Sequence, residues 1–355
     1  MTVHRIAVIP GDGIGKEVVI EGIRVLEAVG RAFEIQFTWD TFNWGCENFL
    51  HTGLMMPDDG IEQLREYEAI FLGAVGSPDV PDHVSLWGLL IPIRRQLQQA
   101  VNVRPVRMLK GMESPLKNRG VKDIDFIIVR ENNEGEYSEI GGRLYQKTDL
   151  EMAVQETVFT RKGVDKVFRY AFELAENREA KHVTSATKSN GIIHTMPYWD
   201  ERFLAIGKEY PDIRMSQYHI DILAAHFVLH PDWFDVVVAS NLFGDILSDL
   251  GPALAGTIGI APSANINPTR KHPSMFEPVH GSAPDISGKG VANPIAQIWS
   301  GALMLDHLGH SEAANAVERA IEVILEDREL RTPDMGGKAT TQDLGKSIAI
   351  AISPF

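Results

Sequence analysis

Short apolar runs alternate with longer amphipathic stretches over most of this chain. The run Arg5 to Pro10 is followed by Ile14 to Gly30, Ala69 to Gly76 by Leu86 to Val101, and Asp235 to Ser240 by Phe243 to Gly256. The first member of each pair has strand length and β-branched content; the second has helical periodicity. Repeated alternation of this kind predicts an α/β fold with largely parallel strands and covering helices. Further helices are predicted at Pro294 to Leu308, Glu312 to Glu326 and Thr341 to Ile352. In the middle, Arg143 to Thr148 and Met152 to Phe159 have β character without a helical partner, which suits an arm or an intersubunit sheet. The segment Ala261 to Pro294 is rich in Pro, Gly and Asn and reads as a large functional loop.

Composition narrows the class. With 355 residues and 44% hydrophobic content, the chain can build a large core and two lobes. A formal net charge of -14 argues against a general nucleic-acid or anionic-membrane binder and leaves room for a local basic pocket. One cysteine, Cys46, excludes an internal disulfide framework and a thiolate metal cluster, so a reducing cytoplasm fits best. No apolar run is long enough for a signal peptide or a membrane span.

The most informative stretch is Asn241-Leu-Phe-Gly-Asp245-Ile-Leu-Ser-Asp249-Leu-Gly251. Two carboxylates four residues apart share one helix face at the mouth of a strand-to-helix turn, a half-site for a hard divalent cation such as Mg2+ or Mn2+. Asp221, where Tyr218-His-Ile precedes Leu223-Ala-Ala, is either a third ligand or a helix cap. Arg94, Arg104 and Arg130 each stand beside a structure-ending residue, and three converging guanidinium groups would suit a substrate with two carboxylates. Tyr137 and Lys188 are a workable acid and base. The glycine turn Gly11-Asp-Gly13-Ile-Gly15 follows a strand, but its third glycine comes one residue early for a dinucleotide-binding fingerprint, so a tight turn lining a cleft is expected. His280-Gly-Ser-Ala-Pro-Asp285, with Asn293 downstream, suits an adenosine phosphate, Asp285 facing ribose hydroxyls and repelling a 2′-phosphate; the alternative is an ordinary surface loop.

Taken together, these motifs resemble the metal-dependent β-decarboxylating dehydrogenases, the family of isocitrate and 3-isopropylmalate dehydrogenases. The likeness runs from Ile9-Pro-Gly-Asp-Gly-Ile-Gly15 to Thr332-Pro-Asp-Met-Gly-Gly337 and is most specific over Asn241 to Gly259 and Glu277 to Asn293. It implies a non-Rossmann fold of two α/β domains with a central cleft, one formed by residues 1–103 and 255–355 and the other by 104–254. It implies Tyr137 and Lys188 as acid/base residues, Asp221, Asp245 and Asp249 as metal ligands, and Arg94, Arg104 and Arg130 as carboxylate binders. His280, Gly281, Ser282, Ala283, Pro284, Asp285, Ile286 and Asn293 would bind the cofactor, which is expected to be NAD because NADP-using members carry Lys-Tyr where this chain has Asp285-Ile286. Members are homodimers in which Lys188 and Asp221 would serve the partner's site. The choice of Mg2+ or Mn2+, and any K+ requirement, stay open.

Substrate choice turns on Val84-Ser-Leu-Trp87-Gly-Leu-Leu-Ile91. A tryptophan at position 87 would fill the pocket that receives a substituent on carbon 3, and Ser85-Leu-Trp87-Gly88 resembles the branch of the family that acts on tartrate and D-malate. The alternatives are 3-isopropylmalate oxidation and, outside enzymes, a catalytically silent regulatory subunit, which would be expected to have lost part of this residue set.

Overall fold

The computed structural model describes residues 2–353. The N-terminal part runs β1 (Thr2–Gly11), α1 (Gly15–Phe33), β2 (Ile35–Thr41), α2 (Cys46–Thr52), α3 (Gly60–Leu64), β3 (Ala69–Ala74), α4 (Asp82–Ser85) and α5 (Ile91–Gln96). The middle runs β4 (Val101–Arg107), β5 (Asp125–Glu131), β6 (Gly141–Leu144), β7 (Met152–Gln155), α6 (Arg161–Glu176), β8 (His182–Thr187), α7 (Thr195–Gly207), β9 (Arg214–His219), α8 (Ile220–Leu229), β10 (Val236–Ala239) and α9 (Asn241–Ala255). The chain closes with β11 (Pro262–Ile266), β12 (Ser274–Pro278), α10 (Ile295–His307), α11 (Ser311–Leu325) and α12 (Thr341–Ala351).

Ten strands form one sheet in the order β2-β1-β3-β12-β11-β4-β5-β10-β8-β9. The four strands β2, β1, β3 and β12 are mutually parallel, as are β5, β10, β8 and β9. Between these halves β11 pairs antiparallel with both β12 and β4, and β4 antiparallel with β5. The sheet is therefore mixed at its centre rather than parallel throughout. Fully buried Val/Ile/Phe-rich strands such as β3 and β10 read as continuous apolar runs because helices cover both faces.

The segment expected to be one long loop, residues 261–294, holds β11 and β12. Their sequences, Pro262-Ser-Ala-Asn-Ile266 and Ser274-Met-Phe-Glu-Pro278, lack the β-branched density that marks a strand. Buried polar groups take its place. Asn102 Nδ2 donates to Ser263 Oγ at 2.8 Å and to Asn265 Oδ1 at 3.0 Å, and Asn265 Nδ2 donates to Glu277 Oε1 at 2.7 Å. A linked buried network of this kind fixes register as firmly as an apolar stripe does.

The helix expected from Leu86 onward is also interrupted. Pro92 lacks the N–H that would bond to Gly88, and the chain widens so that the Ile91 N–H bonds to the Leu86 carbonyl, a single π turn over Leu86–Leu90. Gly88 is needed there, since a Cβ would lie 2.6 Å from Met55 Cγ. The expected arm is present: β6 and β7 form a separate antiparallel pair, exposed along its length, with the exposed apolar side chains Leu144 and Met152 on it and Ile140 and Leu150 beside it.

Candidate active site

Arg104 from the middle of β4, Arg130 near the end of β5 and the end of β10 come to one place, where α9 begins. Asp245, on the second turn of α9, is the hub. Tyr137 Oη donates to its Oδ2 at 2.8 Å, Arg104 Nη1 reaches its Oδ1 at 3.4 Å, and Arg130 Nη1 forms a short ion pair with the same Oδ1. Arg130 also donates from Nε and Nη2 to Asn241 Oδ1, at 3.1 and 2.7 Å, and its guanidinium lies 5.6 Å from the Tyr137 ring centre. Arg94, at the end of α5, pairs with Glu277 Oε1 at 2.7 Å and is close enough for its charge to act on Arg104, Arg130 and Asp245. The three arginines singled out in the sequence thus meet.

Their electrostatics follow from burial. Arg94, Arg104 and Arg130 are all under one-tenth exposed, and loss of solvent followed by the neighbouring Arg130 charge pulls the Arg104 guanidinium down to about 10. Burial alone would raise the Asp245 carboxyl; the charges of Arg130 and Arg104 and the Tyr137 hydroxyl outweigh it and hold Asp245 below the ordinary aspartate value. Burial, then the Asp245 charge, raises the Tyr137 phenol. Asp249, one turn further along α9, is lifted by burial, with the Asp245 charge adding and Arg104 opposing. Among the described residues it has no hydrogen-bond or ion-pair partner, and the Nε groups of Arg94 and Arg104 are buried donors without an acceptor. A centre with unmatched acidic oxygen beside unmatched guanidinium donors is chemically suited to a hard cation and a polycarboxylate together.

Lys188 and Asp221 lie apart from this centre. They pair with each other at 2.8 Å, with side chains 30% and 68% exposed, and the Lys188 ammonium holds Asp221 below its ordinary value. Among the described residues no three His, Cys, Asp or Glu side chains of one chain gather closely enough to hold a metal ion.

Trp87 sits on the π turn, half-buried, with the Arg95 guanidinium 4.9 Å from its ring centre. Arg95 in turn donates to the Tyr137 carbonyl at 2.7 Å and pairs with Glu139 at 2.8 Å. Trp87 is thereby tied to the Tyr137 turn through one side chain.

The glycine turn is a joint, not a phosphate cradle. Gly11 and Gly13 have φ of +70° and +52°, and a Cβ on either would come within 2.0 Å of the Ala74 or Ser282 carbonyl. The Asp12 N–H is spent on Ala74 and the Ile14 N–H on Ser282, while the Asp12 carboxylate accepts from the Cys46 and Gly76 amides. The turn therefore docks the loop after β12 against α1. Ala283, with φ of +40°, and Ile286 pack on Ile14, Val18 and Ala292. Glu17, which sequence reasoning missed, accepts the Gly288 and Gly290 amides at 2.6 and 3.0 Å. On this loop Gly281, Pro284 and Asp285 are exposed and Ser282 is buried. His280 keeps a buried Nε2 without a partner, and burial lowers its pKa. Asn293 is already engaged, donating to Asp334 at 3.0 Å and accepting the N–H of Ile295, the first residue of α10, at 3.0 Å. The glycine turn also lines a cleft, as expected: Gly11 and Asp12 border a cavity of about 620 Å³ between α1 and α2, against Lys16, Trp44 and Asn48.

Three acidic residues beside Tyr137 also went unread in the sequence. Glu131 accepts the Asn133 and Glu134 amides, Glu134 accepts from Thr160 at the start of α6, and Glu136 accepts from Ser240 and Leu242 at the start of α9. Each carboxylate accepts at least one backbone N–H, and Glu134 and Glu136 a hydroxyl besides, a use with no periodic signature.

With this geometry the chain belongs to the isocitrate/isopropylmalate dehydrogenase family, whose model matches residues 5–348. The fold agrees: an isocitrate dehydrogenase structure from Methylococcus capsulatus superposes with a TM-score of 0.89 at 35% identity, covering 98% of this chain and 99% of that one. Within the family the chain is similar to a tartrate dehydrogenase/decarboxylase of Pseudomonas putida, 59% identical over 97% of this chain and 96% of that protein. It is similar also to a D-malate dehydrogenase (decarboxylating) of Escherichia coli K12, 58% identical over 98% of each. It is accordingly an oxidoreductase of the decarboxylating dehydrogenase type. No helix among the described residues is long and apolar enough to cross a membrane.

Proposed function

We propose that the protein oxidises tartrate and oxidatively decarboxylates D-malate to pyruvate and CO2, using NAD and Mg2+ or Mn2+. The observation that carries this reading is the convergence on Asp245 of Tyr137, Arg104 and Arg130, with Asp249 one turn away. Arg94, Arg104 and Arg130 hold the two carboxylates, and the unmatched Nε donors of Arg94 and Arg104 are free to do so. Asp245 and Asp249 hold the cation, with Asp221 of a second subunit. Bound there, the cation would supply Lewis acidity to the 2-hydroxy acid, and the nicotinamide would supply the hydride acceptor for carbon 2. Lys188 of the second subunit takes the hydroxyl proton. After the carboxylate on carbon 3 departs as CO2, Tyr137 returns a proton to carbon 3, which gives pyruvate from D-malate. With tartrate, the hydroxyl on carbon 3 lets oxidation stop at oxaloglycolate.

Two features support a homodimer with shared sites. The Lys188–Asp221 pair faces outward, near the exposed apolar side chains Ile192, Ile193 and Ile222, and the β6–β7 arm is unpartnered within one chain. The domain division proposed is 1–103 with 255–355 against 104–254, which places the boundary in the sheet near the β11–β4 pair. For NAD, His280 to Ile286 provide an orphaned imidazole nitrogen, an exposed Asp285 and the apolar Ile286, a set suited to an adenosine without a 2′-phosphate. Trp87 on its π turn favours a substrate small at carbon 3.

The test is NADH formation by metal-stripped protein with Mn2+ restored, across D-malate, L-tartrate, 3-isopropylmalate and isocitrate. Turnover of the first two, with little for the bulkier pair, is expected. Preference for 3-isopropylmalate would overturn the role of Trp87, and absence of metal-dependent turnover on all four would overturn the reading as a whole.

A further inference from the structure

Helix α9 is capped from outside itself. Ser240, its N-cap residue, makes no side-chain bond to its own first turn. Instead Ser240 Oγ donates to Glu136 Oε1 at 2.8 Å, and the Leu242 N–H, one of the helix's free donors, bonds to Glu136 Oε2 at 3.0 Å. The next residue in the chain is Tyr137, whose hydroxyl reaches Asp245 on the second turn of the same helix. Consecutive side chains therefore grip successive turns of α9. The turn that carries them is tied down at two further points, by Asn241 Nδ2 donating to the Glu134 carbonyl at 3.1 Å and by Arg95 on the Tyr137 carbonyl.

We propose that Glu136 is a positioning residue, whose bidentate hold on Ser240 and Leu242 sets the Tyr137 hydroxyl at Asp245. The inference rests on the reading of Tyr137 as the proton donor to carbon 3. A tyrosine side chain is long, so a small rotation of the 134–137 turn displaces its hydroxyl well beyond a hydrogen-bond length. Proton transfer tolerates little of that: a misplacement of about 1 Å costs on the order of 10²-fold. The hold is geometric, not charge-dependent. A glutamine at 136 keeps both contacts, its carbonyl accepting from Leu242 and its amide donating to Ser240 Oγ.

The experiment is a double-mutant cycle on the full-length enzyme with D-malate, following NADH, pyruvate and released oxaloacetate. Four variants are compared with the parent: Glu136→Ala, Glu136→Gln, Tyr137→Phe and Glu136→Ala with Tyr137→Phe. Glu136→Ala is expected to lower kcat by about tenfold to hundredfold with KM for D-malate within about threefold, and to release more oxaloacetate. Glu136→Gln restores most of the loss. In the Tyr137→Phe background Glu136→Ala adds little, because both changes disable one step. Amide exchange at Leu242 is faster in Glu136→Ala than in Glu136→Gln. Parental kcat in Glu136→Ala, failure of Glu136→Gln to rescue, or equal losses in both backgrounds would each overturn the role of Glu136. If Tyr137→Phe itself turns over like the parent, the proton-donor reading falls and the positioning role falls with it; additive losses on top of a Tyr137→Phe defect remove only Glu136.

Discussion

Replacing Glu131 with glutamine is expected to stabilise this protein, by an amount that grows as pH rises from about 4.5 and levels off just above about 7. Glu131 ends β5 directly after Arg130, is 1% exposed, and its carboxylate meets only the Asn133 and Glu134 amides, at 2.8 and 2.9 Å. Burial pushes its carboxyl up from 4.5 to about 7; the two amides oppose the rise and the charges of Glu134 and Glu136 add to it. Between those two values the unfolded chain has released the proton that the native state still holds. Stability from this group is therefore complete below about pH 4.5 and is lost as pH climbs through about 7. A gap of that size amounts to about 3 kcal/mol by pH 8. Glutamine keeps an acceptor for both amides and carries no charge, so it escapes the loss. For a chain of this length about 3 kcal/mol corresponds to roughly 4 °C in Tm. The assay is thermal unfolding of both proteins at about pH 4 and about pH 8 at one ionic strength, with the gap appearing at the higher pH and closing at the lower. An equal gap at both values, or a less stable variant at pH 8, would refute the reasoning.

Three other outcomes follow from contacts described above. Gly13→Ala forces a Cβ against the Ser282 carbonyl at positive φ; it should cost at least about 1–2 kcal/mol and raise KM for NAD by loosening the His280–Ile286 loop, read by Tm and by cofactor titration. Arg130→Lys keeps a charge but loses the fork that binds Asn241 and Asp245, so KM for D-malate should rise by about tenfold or more, with little change in KM for NAD. Asp249→Asn removes the carboxylate that lacks a partner; Mn2+ titrations should show weaker binding by about tenfold, while Tm without metal holds or rises because the repulsion between Asp249 and Asp245 has gone.

Much of the site was readable because α9 has a simple rule: an i, i+4 spacing puts Asp245 and Asp249 on one face regardless of tertiary context. The meeting of Arg94, Arg104 and Arg130 was foreseeable only as a possibility, since their convergence depends on α5, β4 and β5 being brought together by the sheet. Strands β11 and β12 escaped because Ser263, Asn265, Ser274 and Glu277 are polar residues buried by mutual hydrogen bonds, which hydrophobic periodicity cannot register. Glu131, Glu134 and Glu136 escaped for a related reason: a run of acidic residues reads as a solvated loop, whereas here each carboxylate serves backbone amides. The π turn under Trp87 was implicit in Pro92, whose effect on the preceding turn is local chemistry, yet its consequence for Trp87 needed Arg95 and Tyr137 in place.

The strand order also governs how the chain assembles itself. β3 and β4 are separated by only 26 residues of sequence, yet the β11–β12 hairpin lies between them in the sheet. As the polypeptide leaves the ribosome, β1, β2 and β3 can pair early, but the edge of β3, with Ile70 and Phe71, must wait for Met275 and Phe276. The strands β5, β8, β9 and β10 need nothing beyond residue 239 and can close first. The half of the sheet that starts the chain is thus the half that finishes last, and until the hairpin inserts, it carries an open, apolar edge of the kind that chaperones shield and that mispairs when they do not.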